Sequence, residues 1–236
     1  MRIPHPIAIA VVTAALLTTA AGQPADAAAS SLVAQWKMNE SSGARTMVDA
    51  SGRGHRGKIG SEVVTGVRAG GVTGYRFARV VPDVPPPRPG HIITVSDSSD
   101  LDPGNRNYAV TLRFRTTGKF GNIVQKGQAT VSGGNFKVQI PNGVVQCYYR
   151  GSAGAILLST PRKLNDGLWH TARCERTQKG VYLFADGALV ASRIGWTGRI
   201  SNSWAVTIGG KLDCDQIEVG CDYYVGDLDW VEITAG

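Results

Sequence analysis

The chain has 236 residues, a formal charge of +7, 42% hydrophobic residues and only 7% aromatic ones. That length suits one large domain whose core is big enough to stand without a structural metal. The positive balance comes with no Lys/Arg block and no nucleic-acid recognition motif, so it points to solubility or an anionic extracellular partner and away from a DNA- or RNA-binding surface.

The N-terminal segment reads as an export signal. Arg2 supplies the positive start, residues 7–21 are apolar, and Ala25-Asp26-Ala27 has the small-x-small pattern of a cleavage site. The apolar run is too short for a membrane anchor, and no later segment approaches spanning length. The expected division is a signal peptide over residues 1–27 and one domain over residues 28–236, secreted, with no membrane insertion. An exported chain meets an oxidising compartment, so its four cysteines are expected in disulfides. No Cys-x-x-Cys spacing suggests zinc or redox chemistry. Four cysteines allow three pairings. Cys214 and Cys221 lie close together around a polar loop and are paired here, which leaves Cys147 with Cys174.

Beyond the signal the chain is rich in Gly, Val, Thr and Ile, and short runs of period-two alternation recur between turn residues. The Pro-rich residues 82–89 cannot sit inside a sheet and read as an extended surface loop. Residues 108–115 alternate cleanly, with Tyr108, Val110, Leu112 and Phe114 on one face. Strands follow at 122–126 and 135–140. Asn142-Gly143 then turns the chain into 144–150, because both residues tolerate positive φ. Residues 169–176 form another strand, and 181–185 and 188–193 make a hairpin around Asp186-Gly187. Residues 206–209 and 225–234 close the chain. No stretch after the signal has helical periodicity, so the fold class is all-β, a two-sheet antiparallel sandwich.

Several segments then resemble the laminin-G-like group of concanavalin A-like jelly-roll domains. They are Ala34-Gln35-Trp36-Lys37-Met38-Asn39-Glu40, the D-x-S-G-x-G-x-x-G loop from Asp49 to Gly57, and Asp166-Gly167-Leu168-Trp169-His170 followed by the Asp186-Gly187 hairpin. Ile208-Gly209-Gly210 and the closing Tyr224-Val225-Gly226-Asp227-Leu228-Asp229-Trp230-Val231 belong to the same pattern. The resemblance implies a jelly roll over nearly all of the chain after the signal. It fixes the ligand far less well, since lectins, adhesion modules, hydrolases and lyases share this fold.

It also implies that the first loop and the last strand lie side by side. Asp49 is therefore expected to meet Asp227 or Asp229 around a structural Ca²⁺, which favours carboxylates mixed with backbone carbonyls. Asp227 and Asp229, with Glu232, also echo the acidic strand motif of glucanases of this fold. The shorter first side chain and the position on the last strand argue against that use, so no catalytic residue is assigned. His55, His91 and His170 are scattered, with no nucleophile elbow or zinc motif. A second acidic loop runs from Asp213 through Glu218 to Asp222.

Sugar recognition needs an aromatic platform beside amides and carboxylates. Trp196 and Trp204, flanking a Gly-, Ser- and Asn-rich loop, are the expected ligand-binding rings, with Tyr148 and Tyr149 on a neighbouring hairpin. Trp36, Trp169 and Trp230 are expected in the core. The reading is a secreted, non-catalytic binding module for an extracellular polysaccharide or glycoprotein. The alternatives are a polysaccharide-degrading glucanase or lyase of the same fold, and a protein-adhesion domain.

Overall fold

The computed structural model describes residue 1, residues 30–214 and residues 220–236. Residues 2–27 of the expected signal peptide, and Asp215, Gln216 and Glu218 of the second acidic loop, lie outside the described residues. The strands are β1 (Ser31–Trp36), β2 (Thr46–Met47), β3 (Gly57–Ile59), β4 (Val64–Ala69), β5 (Val72–Phe77), β6 (Ile93–Val95), β7 (Tyr108–Arg115) and β8 (Asn122–Lys126). They continue with β9 (Asn135–Gln139), β10 (Gln146–Gly151), β11 (Gly154–Ser159), β12 (Trp169–Arg176), β13 (Gly180–Ala185), β14 (Ala188–Ile194), β15 (Val206–Ile208) and β16 (Gly226–Ala235). Among the described residues the only helical pieces are three-residue 3₁₀ turns.

The strands form two sheets, and the paired strands run antiparallel. The first has the order β14-β13-β12-β7-β16-β5-β4, with β1 also paired to β16; the second runs β11-β10-β9-β8-β15-β6-β3-β2. The alternation seen in the sequence is realised as burial. Val110, Leu112 and Phe114 from β7 face Phe136, Val138 and Tyr149 of the opposite sheet across one continuous core, which also takes Trp36. The jelly-roll sandwich expected from the residues is therefore the fold.

The turns obey the backbone chemistry that marked them. Asn142 and Gly143 have φ of 52° and 83°, and Asp186 and Gly187 of 49° and 81°. These are left-handed conformations that Asn, Asp and Gly accept at low cost. The hairpin between β4 and β5 has no counterpart in the sequence reading. Gly66 and Gly74 interrupt its apolar alternation, and its register slips between Val64 and Val67.

Both disulfides form as paired from the sequence. Cys147 on β10 and Cys174 on β12 point inward from opposite sheets with a Cα separation of 5.4 Å, so this bond staples the two layers together. Cys214–Cys221 instead closes a short loop over a satellite cluster of Val80, Ile92 and Tyr223. Asp83 ties the Pro-rich loop to it, accepting from the backbone N–H groups of Cys221 and Tyr223 at 2.9 and 3.3 Å.

Closing the longer loop removes more chain entropy. Replacing Cys147 and Cys174 by Ser is expected to cost about 3.5 kcal/mol, against about 2.4 kcal/mol for Cys214 and Cys221. Denaturant unfolding of the two double variants measures the difference, and equal losses would contradict the staple role.

Candidate functional site

Strand β16 sits inside the first sheet, and its two edges are used differently. Along one edge β7 pairs with it from Asp227 to Ala235. The other edge is shared: β5 pairs up to Leu228, and β1 takes over at Val231. Between them the backbone at Asp229 and Trp230 has no strand beside it. The register against β7 also shifts between Leu228 and Trp230, so Asp229 is the extra residue of a β-bulge. Gly74 of β5 closes on this point, because a side-chain carbon there would lie 2.3 Å from the Leu228 carbonyl oxygen.

The bulge changes which side chains face outward. Leu228, Val231 and Ile233 stay in the core, while Trp230 and Glu232 turn to the outer face. Trp230, expected in the core, is thus on the outer face. Strict alternation from Leu228 would turn both Trp230 and Glu232 inward, and a charge placed in the core is the sequence signal that could have revealed the bulge. Trp169 is likewise on the outer face and not in the core. Its indole N–H donates to the Ala69 carbonyl at 3.2 Å, which pulls the tip of the β4–β5 hairpin toward β12. The guanidinium carbons of Arg113 and Arg115 lie 5.3 and 5.6 Å from the centre of the same ring.

Hairpin tip, β1 and the interrupted edge of β16 enclose a groove of about 630 Å³. Trp230 lines it, with Gln35, Lys37, Asn39, Thr73 and Glu232. The Gln35 side-chain amide donates to Glu232 Oε2 at 3.0 Å, so the two are held side by side. An apolar ring beside amides, a hydroxyl and a carboxylate is the set that a polyhydroxylated ligand requires.

The residues expected around a cation are spent differently. Asp49 accepts from the backbone N–H groups of Gln35, Ser51 and His55 at 3.0, 2.9 and 2.9 Å and from the Ser51 hydroxyl at 2.8 Å. Burial alone would raise its pKa, but these donors outweigh burial and hold the carboxyl below its ordinary range. Asp227, almost fully buried, accepts from Arg76 at 2.7 and 3.1 Å and from Arg115 at 2.6 and 3.1 Å. Asp229 accepts from Arg113 at 2.8 Å. Arginines take the oxygens of Asp227 and Asp229, backbone and serine donors take those of Asp49, and among the described residues no group of three His, Cys, Asp or Glu side chains is placed to hold a metal. The arrangement does not fit Ca²⁺ held jointly by Asp49, Asp227 and Asp229.

The two tryptophans expected to bind ligand lie apart from the groove at Trp230. Trp196 covers the buried guanidinium of Arg176, whose carbon is 4.3 Å from the ring centre. Desolvation there pulls the arginine down to about 10. Trp204 lines a separate polar groove of about 370 Å³ with Thr130, Ser132 and Ser201. Beneath it Lys126, fully buried, reaches Asp97 and Asp102 at 2.6 and 2.9 Å.

His170 is structural. Its two ring nitrogens contact Asp186 at 2.9 Å and Asp166 at 3.0 Å. Asp186 also accepts the Thr171 N–H and Asp166 the Leu168 N–H. The paired Asp-Gly signatures thus form one clasp. Hydrogen bonding to Leu168 and His170 lowers the Asp166 carboxyl; at Asp186 burial pushes upward, but Thr171 and His170 prevail and lower it too.

Two measurements follow from this electrostatics. EDTA is expected to leave the melting temperature unchanged, and a drop reversed by Ca²⁺ would refute the arginine assignment. Carboxyls depressed on folding contribute stability that is fully present above their unfolded pKa and lost as the pH falls below about 4. The contribution of these carboxyls to the melting temperature should therefore be constant from about pH 5 to neutral pH and fall below pH 4. Asp49→Asn should cost about 1 kcal/mol at neutral pH and flatten that acid limb; a parallel limb in the variant would remove Asp49 from the account.

No curated protein matches the chain. Among solved structures, domain 4 of the extracellular arabinanase AbnA from Geobacillus stearothermophilus, determined in complex with arabinotriose, is 14% identical, with a TM-score of 0.60 over 88% of this chain and 93% of that one. The binding domain of Paraclostridial Mosquitocidal Protein 1 is 12% identical, with a TM-score of 0.60 over 87% of this chain and 48% of that one. The binding domain of botulinum neurotoxin serotype D is 13% identical, with a TM-score of 0.56 over 87% and 47%. The chain thus spans about half the length of the two toxin domains. At such identity these likenesses establish the fold alone. The sequence itself matches the family model of the laminin G domain over residues 114–233, just over half of the chain. The chain belongs to the laminin G domain family.

Proposed function

We propose that the protein is a secreted, non-catalytic binding module whose groove at Trp230 takes a segment of polysaccharide or the glycan of a glycoprotein. The observation that carries this reading is the indole of Trp230 set beside the Gln35–Glu232 pair in a groove opened by the break in strand pairing. The C–H face of a pyranose or furanose ring stacks on the indole, and its hydroxyls donate to Glu232 and accept from Gln35, Asn39 and Lys37. Gln35, Trp230 and Glu232 sit on strands, so little ordering of these groups is needed on binding. The arabinotriose complex of the arabinanase domain supports a saccharide as ligand for this fold, and the two disulfides support export. Among the described residues no helix is long and apolar enough to cross a membrane.

An enzyme of the same fold would need two carboxyls facing one cleft with room for a sugar between them. Here two carboxyls do line the groove, but Asp229 is engaged by Arg113 and Glu232 by the Gln35 amide, while Asp227 is held between Arg76 and Arg115. Binding is the reading that this arrangement favours.

Trp230→Ala is expected to weaken binding to soluble arabinan or β-glucan about tenfold or more in affinity electrophoresis, with the melting temperature within about two degrees of the parent. That loss corresponds to about 1.4 kcal/mol of stacking and burial. Unchanged retardation in the variant would sink the groove as the site. Reducing ends released by the parent and lost in the Asp227→Asn, Asp229→Asn double variant would replace the reading with hydrolysis.

A further inference from the structure

The second sheet carries an outer face that the groove at Trp230 leaves unexplained. In β9, β10 and β11 the residues Phe136, Val138, Tyr149, Ile156 and Leu158 go to the core, so their neighbours point outward. The register sets these outward side chains in rows. Gln125, Lys137, Tyr148 and Leu157 lie directly opposite one another across four strands. The adjacent row is Gln139, Gln146 and Ser159. Within it Gln139 Nε2 donates to Gln146 Oε1 at 2.7 Å, and Gln146 Nε2 donates to the Ser159 hydroxyl at 3.0 Å. On the other side Arg150 donates to Asn135 at 2.8 Å and to the carbonyls of Gln128 and Val131 at 3.0 and 3.1 Å, which fixes the loop between β8 and β9 as a rim.

We propose that this face is a second saccharide-binding site, centred on Tyr148, so that one domain holds two glycan segments on opposite sides. Tyr148 is half-buried on its strand, with the Lys137 ammonium 5.7 Å from its ring centre. Leu157 beside it is 44% exposed, an apolar side chain on an otherwise polar face. Together they floor a depression of about 160 Å³ bordered by Asn135 and Gln139. One ring and one leucine make too small an apolar area for a protein partner, which needs about 800 Å² per side with an apolar centre. They suit the C–H face of a sugar. The chained amides are held in fixed orientations by their neighbours, and each primary amide has a second N–H to offer a hydroxyl. The occupant that fits is a neutral saccharide segment. The two sites lie on the outer faces of opposite sheets, so a short oligosaccharide cannot fill both and a polymer is crosslinked.

The second site stands on its own residues; only the crosslinking rests on the groove at Trp230 binding saccharide as well. Affinity electrophoresis and turbidity with soluble arabinan and β-glucan test both, using Tyr148→Ala, Trp230→Ala and the double variant. Each single variant should retain weakened retardation, about tenfold down, and lose the turbidity that the parent produces; the double variant should run free. Tyr148→Phe, which keeps the ring, should behave as the parent, and all four should melt within about two degrees of it. Tyr148→Ala indistinguishable from the parent, or Trp230→Ala alone abolishing all retardation, overturns the second site and leaves the first intact. Trp230→Ala without effect beside a weakened Tyr148→Ala overturns the groove and leaves the second site. A parent protein retarded by neither polymer overturns both.

Discussion

Ten residues of β16 must serve three partner strands. Strand β7 covers one edge from end to end, while β5 and β1 divide the other and do not meet. Where β5 gives way to β1 the register against β7 shifts by one residue, and Asp229 is the residue absorbed. The outer-face geometry of this sheet follows from that. Trp230 turns outward, the edge opens beside it, and Gly74 is required where β5 presses on the bulge. A bulge re-aims side chains at a cost in local pairing, and here the re-aimed side chain is the indole that the groove is built around.

Charge is organised around the same strand. Trp169, Arg115, Asp227 and Arg76 occupy successive positions across β12, β7, β16 and β5. The almost buried Asp227 lies between two guanidinium groups that are each partly exposed. Burying a carboxylate without such partners would cost several kcal/mol, so the arginines are what make its position tolerable. The guanidinium groups of Arg115 and Arg113 in turn lie near Trp169, whose indole holds the hairpin tip that walls the groove. The disulfide between β10 and β12 and the clasp of Asp166, His170 and Asp186 hold the other side of the sandwich, where β11 lies against β13 and β14. The rows of side chains on the outer face of the second sheet thus have a fixed backbone beneath them.

The fold was legible because its signals are local. Strands β7, β8 and β12 have in the structure the limits read from alternation, and the Asn-Gly and Asp-Gly turns adopt the positive φ angles that made them recognisable. The β4–β5 hairpin was not legible, since Gly66 and Gly74 break its pattern for reasons that lie on other strands. The site was less legible than the fold. Trp230 and Trp169 were expected in the core as large rings on strands, but Trp230 is re-aimed by a bulge that non-local pairing produces, and Trp169 falls on the outward phase of β12. Trp196 and Trp204 drew attention as loop tryptophans, but a loop position says nothing of what lies beneath the ring, here the buried Arg176 under Trp196. Asp49 and the Asp227–Asp229 pair illustrate the same limit. Carboxylates near glycines suggest a cation, yet backbone N–H groups and arginines compete for the same oxygens, and only the fold decides which of them arrive.

That competition also bears on the choice between binding and hydrolysis. Acid–base cleavage of a glycoside needs one carboxyl able to give a proton and another able to receive one or to attack, both aimed at the same bond. A carboxylate gripped by two guanidinium forks, as Asp227 is, has its lone pairs directed at donors that never release a proton at physiological pH. Glu232 faces the groove, but its neighbour there is a neutral amide, and Asp229 is turned toward Arg113. The paired charges of Arg76, Asp227 and Arg115 fix the sheet beside the groove, and a rigid wall beside an aromatic ring would lower the entropy lost on binding a flexible chain. The arginines that occupy Asp227 and Asp229 are therefore also the groups that hold the strand's surroundings in place.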